Sequence, residues 1–237
     1  VVVPKSTVEQ IRERFDNSVE RFSNLESGNT AQVDSPLSLE LIAQAAAATN
    51  PNAKAMLDVG CGAGNYTLKL LEYMPNMNVT LLDLSQPMLE RARERVSQVT
   101  TGSVKLLQGD IREVDIGTSS YDVIVASAVL HHLREDREWR LVFRKLYEAL
   151  RSGGTLWIYD LIQHSIPQID EQMTTRYADY LIQLNGEGYR DQVMGWIEQE
   201  DTPRPLIFQL DLLHEVGFRE VDVLHKNTNF AAFGGRK

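Results

Sequence analysis

Between residues 55 and 160 the chain repeats one pattern, a short β-rich apolar run followed by an amphipathic helical stretch. The runs are Ala55-Met56-Leu57-Asp58-Val59, Val79-Thr80-Leu81-Leu82-Asp83, Val104-Lys105-Leu106-Leu107, Tyr121-Asp122-Val123-Ile124-Val125 and Thr155-Leu156-Trp157-Ile158-Tyr159. Strands separated by helices return by crossovers, so they run parallel and the helices cover both faces of the sheet. A doubly wound α/β fold is therefore expected. The helix before the fifth run is expected to carry Leu141, Leu146 and Leu150 as its stripe and to stop at Ser152-Gly153-Gly154.

The flanks depart from this alternation. Residues 1–50 read as a helical lead-in, broken by Glu26-Ser27-Gly28-Asn29-Thr30. Residues 161–205 form a polar helical stretch dotted with Tyr177, Tyr180, Tyr189 and Trp196, read as a cap inserted over the sheet edge. A helix over Leu206 to Val216, closed by Gly217, leads to strands Val221-Asp222-Val223-Leu224 and Phe230-Ala231-Ala232-Phe233. The short turn around Lys226-Asn227 makes that last pair antiparallel. With 237 residues and no internal repeat, residues 1–237 are expected to fold as one unit.

Composition narrows the partners. A net charge of -9 disfavours phosphate backbones, which sets tRNA behind a small-molecule acceptor, and Arg91-Ala92-Arg93-Glu94-Arg95 reads as a solvated helix face. No apolar run reaches the roughly 18 to 20 residues of a membrane span. The start, Val1-Val2-Val3-Pro4-Lys5, lacks the features of a signal peptide, and Cys61 is the only cysteine, so a cytoplasmic location is expected. A homodimer is left open.

The chemistry collects at the carboxyl ends of the first strands. Asp58-Val59-Gly60-Cys61-Gly62-Ala63-Gly64-Asn65 is a strand-to-helix turn whose glycines let the backbone approach a ligand. Asn65 stands where a dinucleotide fingerprint needs a third small residue, which counts against a nicotinamide dehydrogenase. Asp83, about 20 residues past the turn, suits the two hydroxyls of an adenosine ribose. Asp110 ends the third strand, suited to an adenine amino group, with Leu84 and Ile111 over the ring. One such Asp is commonly a cap or a surface residue; three in order are specific. Cys61 reads as a filler within the turn, with no cation in the local sequence to activate its thiol.

Asp58 to Gly64, Asp83, Asp110 and Ala126-Ser127-Ala128-Val129-Leu130-His131-His132-Leu133 resemble class I S-adenosylmethionine-dependent methyltransferases. The resemblance implies a Rossmann-like seven-stranded sheet with a reversed last strand. It also implies that Gly60 and Gly62 cradle the methionine part, Asp83 holds the ribose, Asp110 marks the adenine, and the backbone near Ala126 and Ser127 closes over the ammonium. The Phe15-Asp16 helix, Gly109-Asp110-Ile111-Arg112 and the segment Leu213 to Phe233 are similar to the carboxy-S-adenosylmethionine synthase branch of tRNA wobble-uridine modification. That branch implies an arginine for the extra carboxylate, for which Arg190 and Arg204 are candidates, while the nearest aligned position is Met194.

The expected reaction is in-line displacement, in which the protein positions and desolvates the reactants and needs a base only if the acceptor must lose a proton. His131, His132 and Asp160, at the carboxyl edge, are the candidates for that base. His164 could pair with Asp160, Arg176 could meet an acidic acceptor, and Arg14 and Arg21 could meet the cofactor carboxylate. The aromatics of the cap could line the acceptor pocket, whereas His214 and His225 read as structural. No cluster has the spacing of a metal site. The rival of another class is a regulatory module that binds the cofactor without turnover.

Overall fold

In the computed structural model, residues 4–24 and 29–237 are described; the breaker positions 26–28 and the first three valines lie outside them. The lead-in forms α1 (Val8–Asp16), α2 (Val19–Ser23) and α3 (Ser35–Thr49). The alternating part follows as β1 (Ala55–Val59), α4 (Asn65–Tyr73), β2 (Asn78–Asp83), α5 (Gln86–Val96), β3 (Val104–Gln108), β4 (Tyr121–Ser127), α6 (Asp136–Ala149) and β5 (Leu150–Leu161). The cap helix α7 (Pro167–Glu200), then α8 (Leu206–Val216), β6 (Glu220–Asn227) and β7 (Phe230–Arg236), follow, and a single 3-10 turn at Leu130–His132 stands between β4 and α6.

The strands form one 7-stranded sheet in the order β3-β2-β1-β4-β5-β7-β6. β1 to β5 pair in parallel, and β7 runs antiparallel between β5 and β6. Along each strand successive side chains go to opposite faces. Met56, Val123, Val125, Trp157 and Tyr159 therefore pack with α3, α4 and α5, while Leu57, Ile124, Ala126, Leu156 and Ile158 pack with α6 and α8. The face of α6 buries Trp139, Val142, Phe143 and Leu146, each large side chain contributing roughly 1.5 to 3 kcal/mol.

Three local expectations shift. Leu141 is 45% exposed, because the buried stripe of α6 runs through Trp139, Val142, Phe143 and Leu146 and turns Leu141 outward. α6 ends at Ala149, and Ser152-Gly153-Gly154 falls inside β5, which starts at Leu150 and absorbs a register irregularity against Tyr121 and Val123. Lys226 and Asn227 still pair with β7, and the turn sits at Thr228-Asn229, with Thr228 left-handed at φ 44°.

The order of strands fixes the site. From β1 the chain winds outward through β2 to β3 and then returns to β4 on the other side of β1, so the loops after β1 and β4 diverge and leave a crevice. Helix α7 lies over that edge, broken at Asn185 and Gly186 where φ/ψ leave the helical region. Buried Tyr177 of α7 packs edge-on to Phe230, and its hydroxyl donates to the Ala31 carbonyl at 2.9 Å. No helix among the described residues is long and apolar enough to cross a membrane.

Candidate active site

The loop after β1 is held against the end of β2. Gly60 and Cys61 donate their N–H groups to the Leu82 carbonyl at 2.8 and 3.0 Å, and Gly62 donates to Asp83 Oδ2 at 2.8 Å. Gly60 and Gly62 are left-handed, at φ 67° and 51°. A Cβ on Gly60 would stand 2.7 Å from the Val129 side chain, whereas one on Gly62 would meet no protein atom within 4 Å. The first glycine lets the β1 and β4 loops touch; the second faces open cavity. Asp58 accepts from the Thr67 hydroxyl at 2.7 Å, and burial pushes its carboxyl up to about 7.

Asp83 Oδ1 accepts from the Ser85 N–H at 2.9 Å, so each carboxylate oxygen has a backbone partner, and the four lone-pair sites of the group are not all used by the backbone. Burial raises its carboxyl above the usual range, against these backbone bonds. Burial would also raise Asp110, but the Arg112 guanidinium and backbone N–H hold it below its ordinary value, with Arg112 Nε 3.0 Å from Asp110 Oδ1. Burial first, then the charges of Asp83 and Asp58, push the Cys61 thiol well up.

A cavity of about 390 Å³ joins these groups to the cap. Asp58, Gly60, Cys61, Gly62, Asp83, Leu84, Asp110, Ile111 and Ser127 line it, as do His131 and His132. Gly64, Ala126 and Asp160 do not. Gly64, at φ 85°, caps α4 and packs against Ala92 of α5; the Ala126 side chain faces the α6 layer. Asp160 is 0% exposed and spends its oxygens on the His131 ring and on the N–H groups of Leu130, His131 and Leu161. Its carboxylate therefore faces the His131 ring and these backbone groups, behind the cavity wall. His164 pairs with Asp170 at 3.4 Å, not with Asp160. Arg190 and Arg204 pair with Asp191 and Asp136, and with Arg176 and Met194 they stand outside this cavity.

The cap supplies the far wall. Tyr177 and Trp196 line the cavity, while Tyr180 and Tyr189 pack into the surrounding core. The lead-in adds Phe15, Phe22, Arg14 and Arg21, and the Asn65 side chain fastens it to the glycine turn by donating to the Phe22 carbonyl at 3.0 Å. Arg14 clasps buried Glu200, its Nε 2.7 Å from Oε1. Burial favours neutral His131, but Asp160 on Nδ1 and Asp201 3.6 Å from Nε2 lift it to about 9. Asp201, 3.1 Å from His132 Nδ1, is held below the usual carboxylate range by both histidines, against burial. Glu200 and Asp201 escape a reading of motifs. Their one signal is acids at the carboxyl end of a helix, where the dipole disfavours negative charge.

Residues 56–154, the segment from β1 into β5 that builds the crevice, match the model of a methyltransferase domain. The chain carries a class I S-adenosylmethionine-dependent methyltransferase domain. A demethylmenaquinone methyltransferase of Listeria monocytogenes serotype 4a is 27% identical over 188 residues, which are 77% of this chain and 78% of that relative. The carboxy-S-adenosyl-L-methionine synthase of Chromohalobacter salexigens is 33% identical over 183 residues, 74% of this chain and 65% of the synthase. Among solved structures, an O-methyltransferase family protein from Burkholderia thailandensis superposes with TM-score 0.65 at 14% identity over 97% of this chain and 60% of that one. Human N-acetylserotonin methyltransferase in complex with SAM does so with TM-score 0.62 at 17% identity, over 97% of this chain and 57% of that one. The methyltransferase chain thus spans about three fifths of these longer structures.

The cofactor of this class fits the residues present. The open space at Gly62, the remaining acceptor capacity of Asp83 and the buried, unpartnered Gln32 Oε1 on the cavity wall are what a ligand with hydroxyl and ammonium donors would satisfy.

Proposed function

We propose that the chain transfers a methyl group from S-adenosylmethionine to a small acceptor with an aromatic or otherwise apolar body and an anionic group. Arg21 carries this reading. It lines the cavity, its guanidinium lies 5.3 Å from the Phe22 ring centre and 5.5 Å from that of Trp196, and it has no carboxylate partner among the described residues. A cation held against two aromatic faces suits an anion on a flat apolar body. Bound S-adenosylmethionine supplies an electrophilic methyl group. The protein's share is positioning: Asp83 and the glycine turn on the cofactor side, and Arg21, Phe15 and Trp196 on the acceptor side. Deprotonation, where the acceptor needs it, falls to the corner of His131, His132 and Asp201, which the cap closes off from solvent.

The test is incubation with methyl-labelled S-adenosylmethionine and paired acceptors, aromatic acids beside their neutral amides, with a quinol and tRNA alongside. Labelled product from the acids, at least ~10-fold above the amides, supports the reading; product only from neutral acceptors or tRNA, or none, contradicts it. A second reading, synthesis of carboxy-S-adenosylmethionine, is favoured by the 33% identity to the Chromohalobacter synthase. It would show as added mass on the cofactor itself. The placement of Arg190 and Arg204 outside the cavity ranks it second.

A further inference from the structure

The corner beneath the cap gathers more buried negative charge than its cations answer. Asp160, Glu200 and Asp201 are all buried; Arg14 pairs with Glu200, while Lys5 bonds only the backbone carbonyls of Glu198 and Asp201. The other two carboxylates face only imidazoles: Asp160 at His131 Nδ1, and Asp201 between His132 Nδ1 at 3.1 Å and His131 Nε2 at 3.6 Å. Buried charges of one sign are paired or coordinate a metal.

We propose that His131 Nε2, His132 Nδ1 and Asp201 Oδ1 form a binding site for a divalent first-row transition cation, open towards the acceptor end of the cavity. One ligand atom from each of the three residues can be chosen so that all lie within 4.8 Å of one another. Asp201 Oδ1 is 3.1 Å from His132 Nδ1 and 3.6 Å from His131 Nε2, bracketing the edge of about 3.3 Å that a tetrahedral zinc with bonds of roughly 2.0 to 2.1 Å would have. Asp160 on His131 Nδ1 fixes the tautomer that leaves Nε2 free to ligate, the arrangement found behind metal-bound histidines. Two imidazoles and one carboxylate suit zinc, iron(II), manganese or cobalt and leave positions for an acceptor oxygen or water. The spacing escaped motif reading because Asp201 enters from the end of α7, about 70 residues beyond the histidines. If the methyl-transfer reading holds, a cation here would polarise an acceptor hydroxyl and ease its loss of a proton. Binding of the cation does not depend on that reading.

The test uses the full chain, free of any affinity tag and stripped with a chelator, titrated with Co²⁺ alone by calorimetry and visible absorption. One Co²⁺ per chain is expected, with ligand-field bands. His132→Ala and Asp201→Asn should each weaken binding at least ~100-fold, and His164→Ala, in the His164–Asp170 pair, should change it less than ~2-fold. Because either site variant could unfold, imidazole NMR of the wild-type chain with Zn²⁺ provides a second reading, in which only His131 and His132 of the five histidines should shift. No stoichiometric Co²⁺ uptake, binding indifferent to both variants, or shifts at other histidines would overturn the site. Failure of methyl transfer would appear separately, as lost turnover in a chain that still takes up Co²⁺.

Discussion

The Asp83 carboxylate accepts from the Gly62 N–H at 2.8 Å, so the group proposed to hold the cofactor's ribose also fixes the shape of the glycine turn beside it. Binding at this turn and stability of the turn are therefore coupled through one side chain, and the two glycines separate them.

Gly60→Ala should damage the fold, because its Cβ would press into Val129 at a left-handed φ of 67°. Left-handed strain of ~1 to 2 kcal/mol plus the clash should lower the melting temperature by at least about 4 °C. Gly62→Ala carries similar strain without the clash, and its Cβ enters the cavity. Its melting temperature should fall less, while calorimetry shows a larger loss of S-adenosylmethionine affinity than for Gly60→Ala. Equal affinity losses in the two variants would contradict this division.

Asp58 gives a pH signature. Its folded pKa of about 7 lies above the unfolded ~3.9, so the folded chain holds the extra proton between those values. The stability this group contributes is complete below pH ~4 and is lost as pH rises through 7. Asp58→Asn removes the dependence, so relative to wild type the variant should gain on the order of 2 kcal/mol in urea unfolding between pH 5 and pH 8. A difference that stays flat with pH would refute the buried-carboxyl assignment.

Arg14 and Glu200 form a pair of which Glu200 is 5% exposed. Arg14→Met leaves a buried carboxylate unpaired and should cost roughly 3 kcal/mol, whereas the double variant Arg14→Met, Glu200→Gln should recover most of that. Additive losses in chemical denaturation would show that the two side chains are not coupled.

Arg21→Leu should lower kcat/KM for an anionic acceptor by ~10- to 100-fold, the worth of one charge-assisted hydrogen bond, while leaving cofactor affinity within about twofold. An equal loss for acid and amide acceptors would assign Arg21 a packing role.

The alternation of strands and helices from β1 to β3 and from β4 to β5 was legible because period-2 and period-3.6 patterns are local properties, whereas the expected helix between β3 and β4 is absent and residues 109–120 connect them by turns. The helix Leu206–Val216 with left-handed Gly217 was legible for the same reason. So was the carboxylate order Asp58, Asp83, Asp110, since each Asp ends or follows its own strand. Ser152-Gly153-Gly154 misled because glycines that stop helices also tolerate irregular strand pairing, and Gly153 adopts φ 77° inside β5. Gly64, Ala126 and Asp160 sit within motifs yet point into helix packing, the α6 layer and the back of His131; spacing alone carries no side-chain direction. The pairing of His131 and His132 with Asp201 joins elements far apart in the chain, and only the path of α7 across the sheet edge brings it about.

Calorimetric titration with S-adenosylmethionine and S-adenosylhomocysteine, repeated on Asp83→Ala, is the most direct test of the central claim. The account predicts saturable binding of both ligands by the wild-type chain at one site. It predicts at least ~100-fold weaker binding by Asp83→Ala, which loses two charge-assisted hydrogen bonds to the ribose. Absence of binding to either ligand by folded wild-type protein, or unchanged affinity in the variant, would contradict it.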